Sequence, residues 1–311
     1  MTLTQLEYIV AVDTHRHFVM ASEKCFVTQP TLSMQIQKLE EALGVKLFDR
    51  TKQPVIPTEI GQRIIAQARI ILREANRIEQ IISDEQEIMT GEIRIGIIPT
   101  LAPYLLPPLF KRMREQYPQV ELTIKETITD EVIHELKNNR LDCGLVVTPL
   151  KDASIQEDIL FYEELFVYLS RKNALYDKKY VLADDIDPNQ LWLLEEGHCF
   201  RSQVLNLCEL RKSSHLHFKY ETGNIETLKR MVDKSDGITI LPELAVREFT
   251  KPQLKFVKRL KDPSPAREVS LVTHRHHLKT RLINTLKEEI LNIVPKEMQK
   301  LKDKKVVEIN Y

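Results

Sequence analysis

The chain has 311 residues, more than one hydrophobic core usually holds, so two or three folding units are expected. Its 45 basic side chains balance 45 acidic ones, which gives no general sign of a nucleic-acid partner, and no apolar run approaches the roughly 20 residues of a membrane span. Four cysteines are too few for a disulfide scaffold and the first residues lack the features of a secretory leader, so a cytoplasmic location, no membrane contact and at most a transient, regulatory disulfide are expected.

Thr4-Gln5-Leu6-Glu7 reads as a capping box, with Leu3 and Tyr8 as its hydrophobic staple, and predicts a helix from Gln5 whose inner face carries Leu6, Ile9 and Val10. A second short helix fits Val19 to Phe26, with Ala21 and Cys25 on one side. Thr28 then caps a third, with Pro30 in its first turn, Leu32, Ile36, Leu39 and Leu43 inward, and Gly44 as a left-handed stop. Two short helices joined by a tight turn, the second polar near its start, suit a recognition helix in the major groove of double-stranded DNA. Thr31, Ser33, Met34, Gln35 and Lys38 are its free positions, and Gln35 and Ser33 are the best candidates for base edges. A small hairpin follows, Leu47 to Arg50 and Val55 to Pro57, and its Arg50 and Lys52 could meet phosphates. Charge does not single this region out, since residues 1–65 hold as many acidic as basic side chains.

From Thr58 to Gly91 only Gly61 interrupts what reads as a helix of about 29 residues and about 43 Å. Ile64, Ala68, Ile71, Ala75, Ile78 and Ile82 alternate spacings of four and three, a coiled-coil seam that predicts a homodimer and therefore two reading heads. Packing of this stripe against its own domain is the competing expectation.

Beyond Gly91 strands and helices alternate, which makes the remainder an α/β domain. Strands are expected at Ile93 to Ile98, Val120 to Glu126, Cys143 to Val147, Phe166 to Leu169, Leu191 to Leu194, His217 to Glu221, Gly237 to Leu241 and Val269 to Thr273. Helices are expected at Pro107 to Gln116, Asp130 to Asn139, Ile225 to Val232 and Lys279 to Ile290. Thr100 and Thr129 follow strands, where α/β sheets place ligands, and a hydroxyl pair there suits a small polar ligand, with helix capping as the plainer role of Thr129. His274, His276 and His277 lack a further ligand at metal spacing and read as a solvated turn, so no metal is expected.

Gln29-Pro30-Thr31-Leu32-Ser33, Gln35-Ile36, Leu39-Glu40, Leu43-Gly44-Val45, Leu47, Arg50 and Thr58 to Gly61, with the long connector and Gly91 to Gly96, strongly resemble the LysR-type transcriptional regulators over nearly the whole chain. Ile98-Pro99-Thr100, Pro103 to Pro107, Leu141-Asp142-Cys143 and Glu195 to Arg201 resemble in particular the hydrogen-peroxide sensors of that family. The resemblance implies a winged helix-turn-helix over 1–57, a linker and dimerisation helix over 58–90, and a redox-sensing domain over 91–311. That domain would be like the periplasmic binding proteins, with one subdomain at about 91–161 plus 268–295 and another at about 162–267. A homodimer that assembles into a tetramer, operator DNA, RNA polymerase, and glutaredoxin or thioredoxin as reductant are likewise implied, with no cofactor and no enzymatic turnover. Glu196, Phe200 and a Lys-rich tail from Lys296 to Lys305 depart from the family pattern without removing a reactive group.

A thiol attacks peroxide as thiolate, and an unperturbed thiol with a pKa of about 8.5 is mostly protonated at neutral pH. His198 and Arg201 flank Cys199, and a helix starting there would add positive potential. Leu205, Leu207 and Leu210 suggest a buried, protonated Cys208. By the residues alone both could be unreactive core thiols, as Cys25 and Cys143 are expected to be. The resemblance implies instead that Cys199 is peroxidatic, Cys208 resolves it to a disulfide, and Thr100, Thr129 and Gly197 hold the peroxide in an activator of the oxidative-stress response. Two other readings compete: a regulator of the same family with a carboxylate or aromatic effector in its cleft, and a thiol peroxidase fused to a DNA-binding head.

Overall fold

The helix-turn-helix begins two residues earlier than its sequence signal. In the computed structural model, which describes residues 1–84, 89–195, 198–208, 223–275, 277 and 279–307, helix α1 spans Leu3–His15 and Thr2 is its cap. The Thr2 hydroxyl accepts from the Gln5 amide at 3.2 Å and the Gln5 side chain accepts from the Thr2 amide at 3.0 Å. Thr2 and Gln5 thus form the reciprocal box expected of Thr4 and Glu7, because the earlier start buries Leu6, Tyr8, Ile9 and Val12 on one face. Leu3 is left exposed, so no staple forms there. Helix α2 is Phe18–Lys24, and α3 is Gln29–Leu43, capped at Gly44 with φ of 70°. Leu32, Ile36 and Leu39 are buried, whereas Leu43 at the fraying end is exposed. Strands β1 (Phe48–Asp49) and β2 (Ile56–Pro57) pair antiparallel as the wing.

Helix α4 runs from Glu59–Asp84, its first turn capped by Thr58, whose hydroxyl accepts from the Gly61 amide at 3.0 Å and donates to the Lys46 carbonyl at 2.7 Å. Gly61 is obligatory here, since a Cβ would stand 2.0 Å from the Leu47 carbonyl oxygen. The seam is divided, which corrects its reading as one dimer stripe. Ile65 and Ala68 are buried and Ile64, Ile71 and Leu72 pack on the head's own core, where Arg69 also pairs with Asp13 at 2.8 Å. Ile78 is 66% exposed, and the side chain of Ile82 lies outside the described residues. Burying an apolar stripe against α1 needs no second chain, so among the described side chains of the seam it is the exposed Ile78 that calls for a partner.

The chain packs as two units, Met1–Glu87 and Ile88–Tyr311. In the second, β3 (Gly91–Ile97), α5 (Ala102–Gln116), β4 (Val120–Glu126), α6 (Thr129–Lys137) and β5 (Cys143–Thr148) form parallel βα units. The long β6 (Ile155–Leu169) follows, then β7 (Tyr180–Val181), α7 (Cys199–Leu207), α8 (Ile225–Lys234), β8 (Ile238–Pro242) and α9 (Glu243–Arg247). Last come β9 (Val257–Leu260), β10 (Ser264–His274), α10 (Thr280–Ile293) and β11 (Lys304–Val306). The main path of the sheet is β4-β3-β5-β10-β6-β9-β7, with β11 added to β10 and β8 to β6.

Strand β6 contributes to two hydrophobic cores, through Leu160 and Phe161 to one and through Leu165 and Val167 to the other. One core gathers β3, β5, α5, α6 and α10, and the other gathers the end of β6 with β8, α7, α8 and α9. The strand expected at Leu191 to Leu194 is reduced to a single bridge from Leu191 to Ile238, because the following residues leave the sheet to start α7. The strand expected at His217 to Glu221 lies outside the described residues. After β10 ends at His274, the His277 amide donates to the His274 carbonyl at 2.8 Å and makes a turn; His276 lies outside the described residues.

Candidate functional site

Helix α7 starts at Cys199 and ends against Cys208, and its two cysteines enter different cores. Cys199 packs with the first core and Cys208 with the second, both nearly closed to solvent and both free thiols. No glycine or proline interrupts the helix between them. Nine residues of helix separate their Cα atoms by about 13.5 Å and turn them about 180° apart.

Arg267 is the charge beside the Cys199 thiol, and sequence reasoning missed it. It is fully buried on β10, directly across the ladder from Glu163 on β6, and its guanidinium holds Glu163 Oε2 at 2.7 Å. Nη1 donates to the Thr100 hydroxyl at 2.7 Å and Nη2 to the Thr100 carbonyl at 3.3 Å, while the guanidinium carbon sits 5.1 Å from the ring centre of Phe200, next to the cysteine. The second carboxylate oxygen of Glu163 accepts the Leu244 amide at 2.8 Å and ties α9 to the same crossing.

Thr100 and Thr129, both buried, are brought to this place from the ends of two strands. Thr129 is not a cap, since Ile128 occupies that position and the Thr129 hydroxyl is buried without an oxygen or nitrogen partner. It lies near the Cys199 sulfur, placed to stabilise a thiolate there. Burial pushes the Cys199 thiol up, opposed by Arg267, the Thr129 hydroxyl and the backbone amides of Phe200 and Cys199 at the start of α7. The net direction is upward, opposite to the expectation of a lowered value, because desolvation outweighs Arg267 and the nearby hydroxyl and amides. Cys208 is pushed up to about 11, first by burial and then by Asp184.

His198 and Arg201 stand elsewhere than as activators of the thiol. Arg201 turns back to donate to the Leu194 carbonyl at 2.8 Å, and buried His198 places Nε2 3.4 Å from Glu195 and against Gly223. Both brace the entry to α7. Gly197 lies outside the described residues. Burial also pushes Cys25 and Cys143 up, and neither thiol has a cation as its main influence.

In the head, α3 presents Met34 and Lys38 to solvent, with Thr31, Ser33 and Gln35 half-buried. The Thr31 and Thr28 hydroxyls share a hydrogen bond of 2.8 Å, and Gln35 accepts from Gln5 at 3.3 Å. Arg50 donates to the Ser33 hydroxyl at 3.0 Å, lies 3.5 Å from the buried Glu40 carboxylate and covers the Phe18 ring at 4.9 Å, so it braces wing to helix rather than standing free. Exposed Lys52 lies at the tip. Arg16, Arg50 and Lys52 line a cleft of about 520 Å³ with His15, His17 and Ser33, and bring three cations together that helix periodicity does not reveal.

Residues 3–62 match the family description "Bacterial regulatory helix-turn-helix protein, lysR family", and residues 86–293 match "LysR substrate binding domain". The chain is 36% identical over 274 residues to the "DNA-binding transcriptional dual regulator OxyR" of Escherichia coli K12, covering 88% of this chain and 89% of that protein. It is 34% identical over 276 residues to a "Hydrogen peroxide-inducible genes activator" of Haemophilus influenzae, with 88% and 90% covered. The solved structure of full-length OxyR C199D from Pseudomonas aeruginosa superposes with a TM-score of 0.83 at 31% identity, covering 97% of this chain and 98% of that one.

Proposed function

This chain belongs to the LysR family of DNA-binding transcriptional regulators, and from that premise we propose that it switches transcription in response to hydrogen peroxide through Cys199. The observation that carries the reading is the enclosure of the Cys199 thiol with Arg267 and an unpartnered buried hydroxyl, Thr129. Peroxide enters beside Thr100 and Thr129. The sulfur attacks one oxygen, the O–O bond breaks, and the thiol proton leaves with the other oxygen as water, so Cys199 becomes a sulfenic acid. The Cys208 sulfur then displaces that hydroxyl as a second water and closes the disulfide. A disulfide spans at most about 7 Å between Cα atoms, so α7 unwinds to form it. The relatives named for peroxide-inducible genes support this signal.

A carboxylate effector is the second reading, and the buried ion pair speaks against it, because Arg267 is already matched by Glu163. Titration of the purified protein with peroxide, counting free thiols while following operator binding, decides between them. Loss of two thiols in step with a change in binding is the expected result, and retention of all thiols would leave the effector reading in its place.

Operator DNA is read as a homodimer that assembles into a tetramer, RNA polymerase is the downstream partner, and glutaredoxin or thioredoxin restores the thiols in the cytoplasm. Among the described residues no helix is long and apolar enough to cross a membrane. Ile78→Glu, at the exposed part of α4, is expected to halve the mass seen by light scattering at low protein concentration and to weaken operator binding. Unchanged mass would remove α4 from the interface. Gln35→Ala is expected to lose about 1–3 kcal/mol on operator DNA and little on random DNA. Arg50→Ala weakens both and lowers the melting temperature of the head, since three contacts go with it. Equal losses on both DNAs for Gln35→Ala would show that Gln35 reads no base.

A further inference from the structure

The Lys-rich tail ends in β11, which lies parallel to the start of β10 with Ser264 opposite Lys304, Pro265 opposite Lys305 and Ala266 opposite Val306. It is built in at several points. Met298 is fully buried and its carbonyl accepts the Tyr162 amide at 2.7 Å, and Gln299 donates to the carbonyls of Leu291 and Val294 at 2.7 and 3.0 Å. Lys304 is nearly closed to solvent and donates to the Tyr162 carbonyl at 3.0 Å, with Glu243 at 3.8 Å. Val307 donates to the Ala266 carbonyl at 2.8 Å, one residue from Arg267, and packs on the second core.

The tail also reaches α7 itself. Gln203, midway between the two cysteines and fully buried, donates through Nε2 to the Val307 carbonyl at 3.2 Å. That bond exists only while α7 is helical and β11 is in register. We propose that the C-terminal strand is a strap that holds α7 as a helix and so sets the peroxide dose at which Cys199 and Cys208 join. The proposal rests on the peroxide reading for its signal, but the strap itself is a property of the reduced protein. Unwinding α7 orphans a buried amide donor on Gln203 and withdraws the apolar cover that Val307 gives the second core, so the strap opposes the rearrangement that the disulfide requires.

The test compares the full-length protein with Gln203→Leu and with a chain ending at Lys302, using hydrogen exchange without peroxide and thiol loss with it. Amides of α7 are expected to exchange about tenfold faster in both variants while those of α5 keep the parent rate, and half-oxidation is expected at a severalfold lower peroxide dose. A peptide spanning Lys300 to Tyr311, added in trans to the shortened chain, is expected to restore protection. Parent-like exchange of α7 in both variants, or equal acceleration in α5, overturns the proposal, the latter by marking a general loss of stability. Faster exchange in α7 with no thiol loss in any of the three proteins leaves the strap standing and removes the peroxide signal.

Discussion

After peroxide, the parent protein is expected to lose two hydrogen atoms by intact mass, Cys208→Ser to gain oxygen atoms, and Cys199→Ser to keep its mass. The asymmetry follows from surroundings. Cys199 has Arg267, the Thr129 hydroxyl and two backbone amides to stabilise its thiolate, whereas Cys208 is buried with Asp184 as its charged influence and is pushed up to about 11. The proposed reading therefore makes Cys199 the nucleophile that meets peroxide, and serine in its place is far weaker. In Cys208→Ser the sulfenic acid finds no partner, because the two positions lie at opposite ends of α7 and serine cannot resolve it. It persists and, under excess peroxide, passes to the sulfinic acid. The same variant keeps α7 helical after oxidation, so its operator binding stays that of the reduced protein. Oxidation of Cys199→Ser at the parent rate, or a parent disulfide between other cysteines, would end the peroxide reading.

Arg267→Met is expected to have the second-largest effect, on both stability and reaction. Removing one partner of a fully buried pair leaves Glu163 without its counter-charge and Thr100 without its donor, a loss of about 3–5 kcal/mol. For Cys199 the sign is fixed by charge: Arg267 is the largest influence holding the thiol down against burial, so its removal moves the thiol further up. At any pH below that value the thiolate fraction falls, about tenfold for each unit, and the pH dependence of oxidation moves to higher pH. Arg267→Met with Glu163→Gln separates the two effects. The double variant takes the unpaired charge out of the core and recovers much of the melting temperature, but it has no cation to restore the rate. Recovery of the rate together with the stability would show that Arg267 serves the fold alone.

The hydrophobic period of α3, its Gly44 stop, the Thr58 cap of α4 and the alternation of strands after Gly91 were legible in the sequence, because each depends on residues within a turn or two of one another. The motif around Cys199 was equally legible and located the thiol at a helix start. Its electrostatics were not. Arg267 and Glu163 are 104 positions apart, and Arg267 and Thr100 are 167 apart. Sequence proximity points to His198 and Arg201 as the activating charges, yet α7 turns Arg201 back onto the Leu194 carbonyl and the backbone geometry leaves His198 beside Glu195. Likewise, the apolar stripe of α4 was plain, but α1 covers its first half, and the Lys-rich tail gave no sign that it would enter the sheet beside β10. Caps, turns and amphipathic faces are decided by contacts a few residues long. Which strand lies beside which, and therefore which charge is buried beside a given thiol, is decided by pairing between distant segments, and only the folded sheet brings those side chains together.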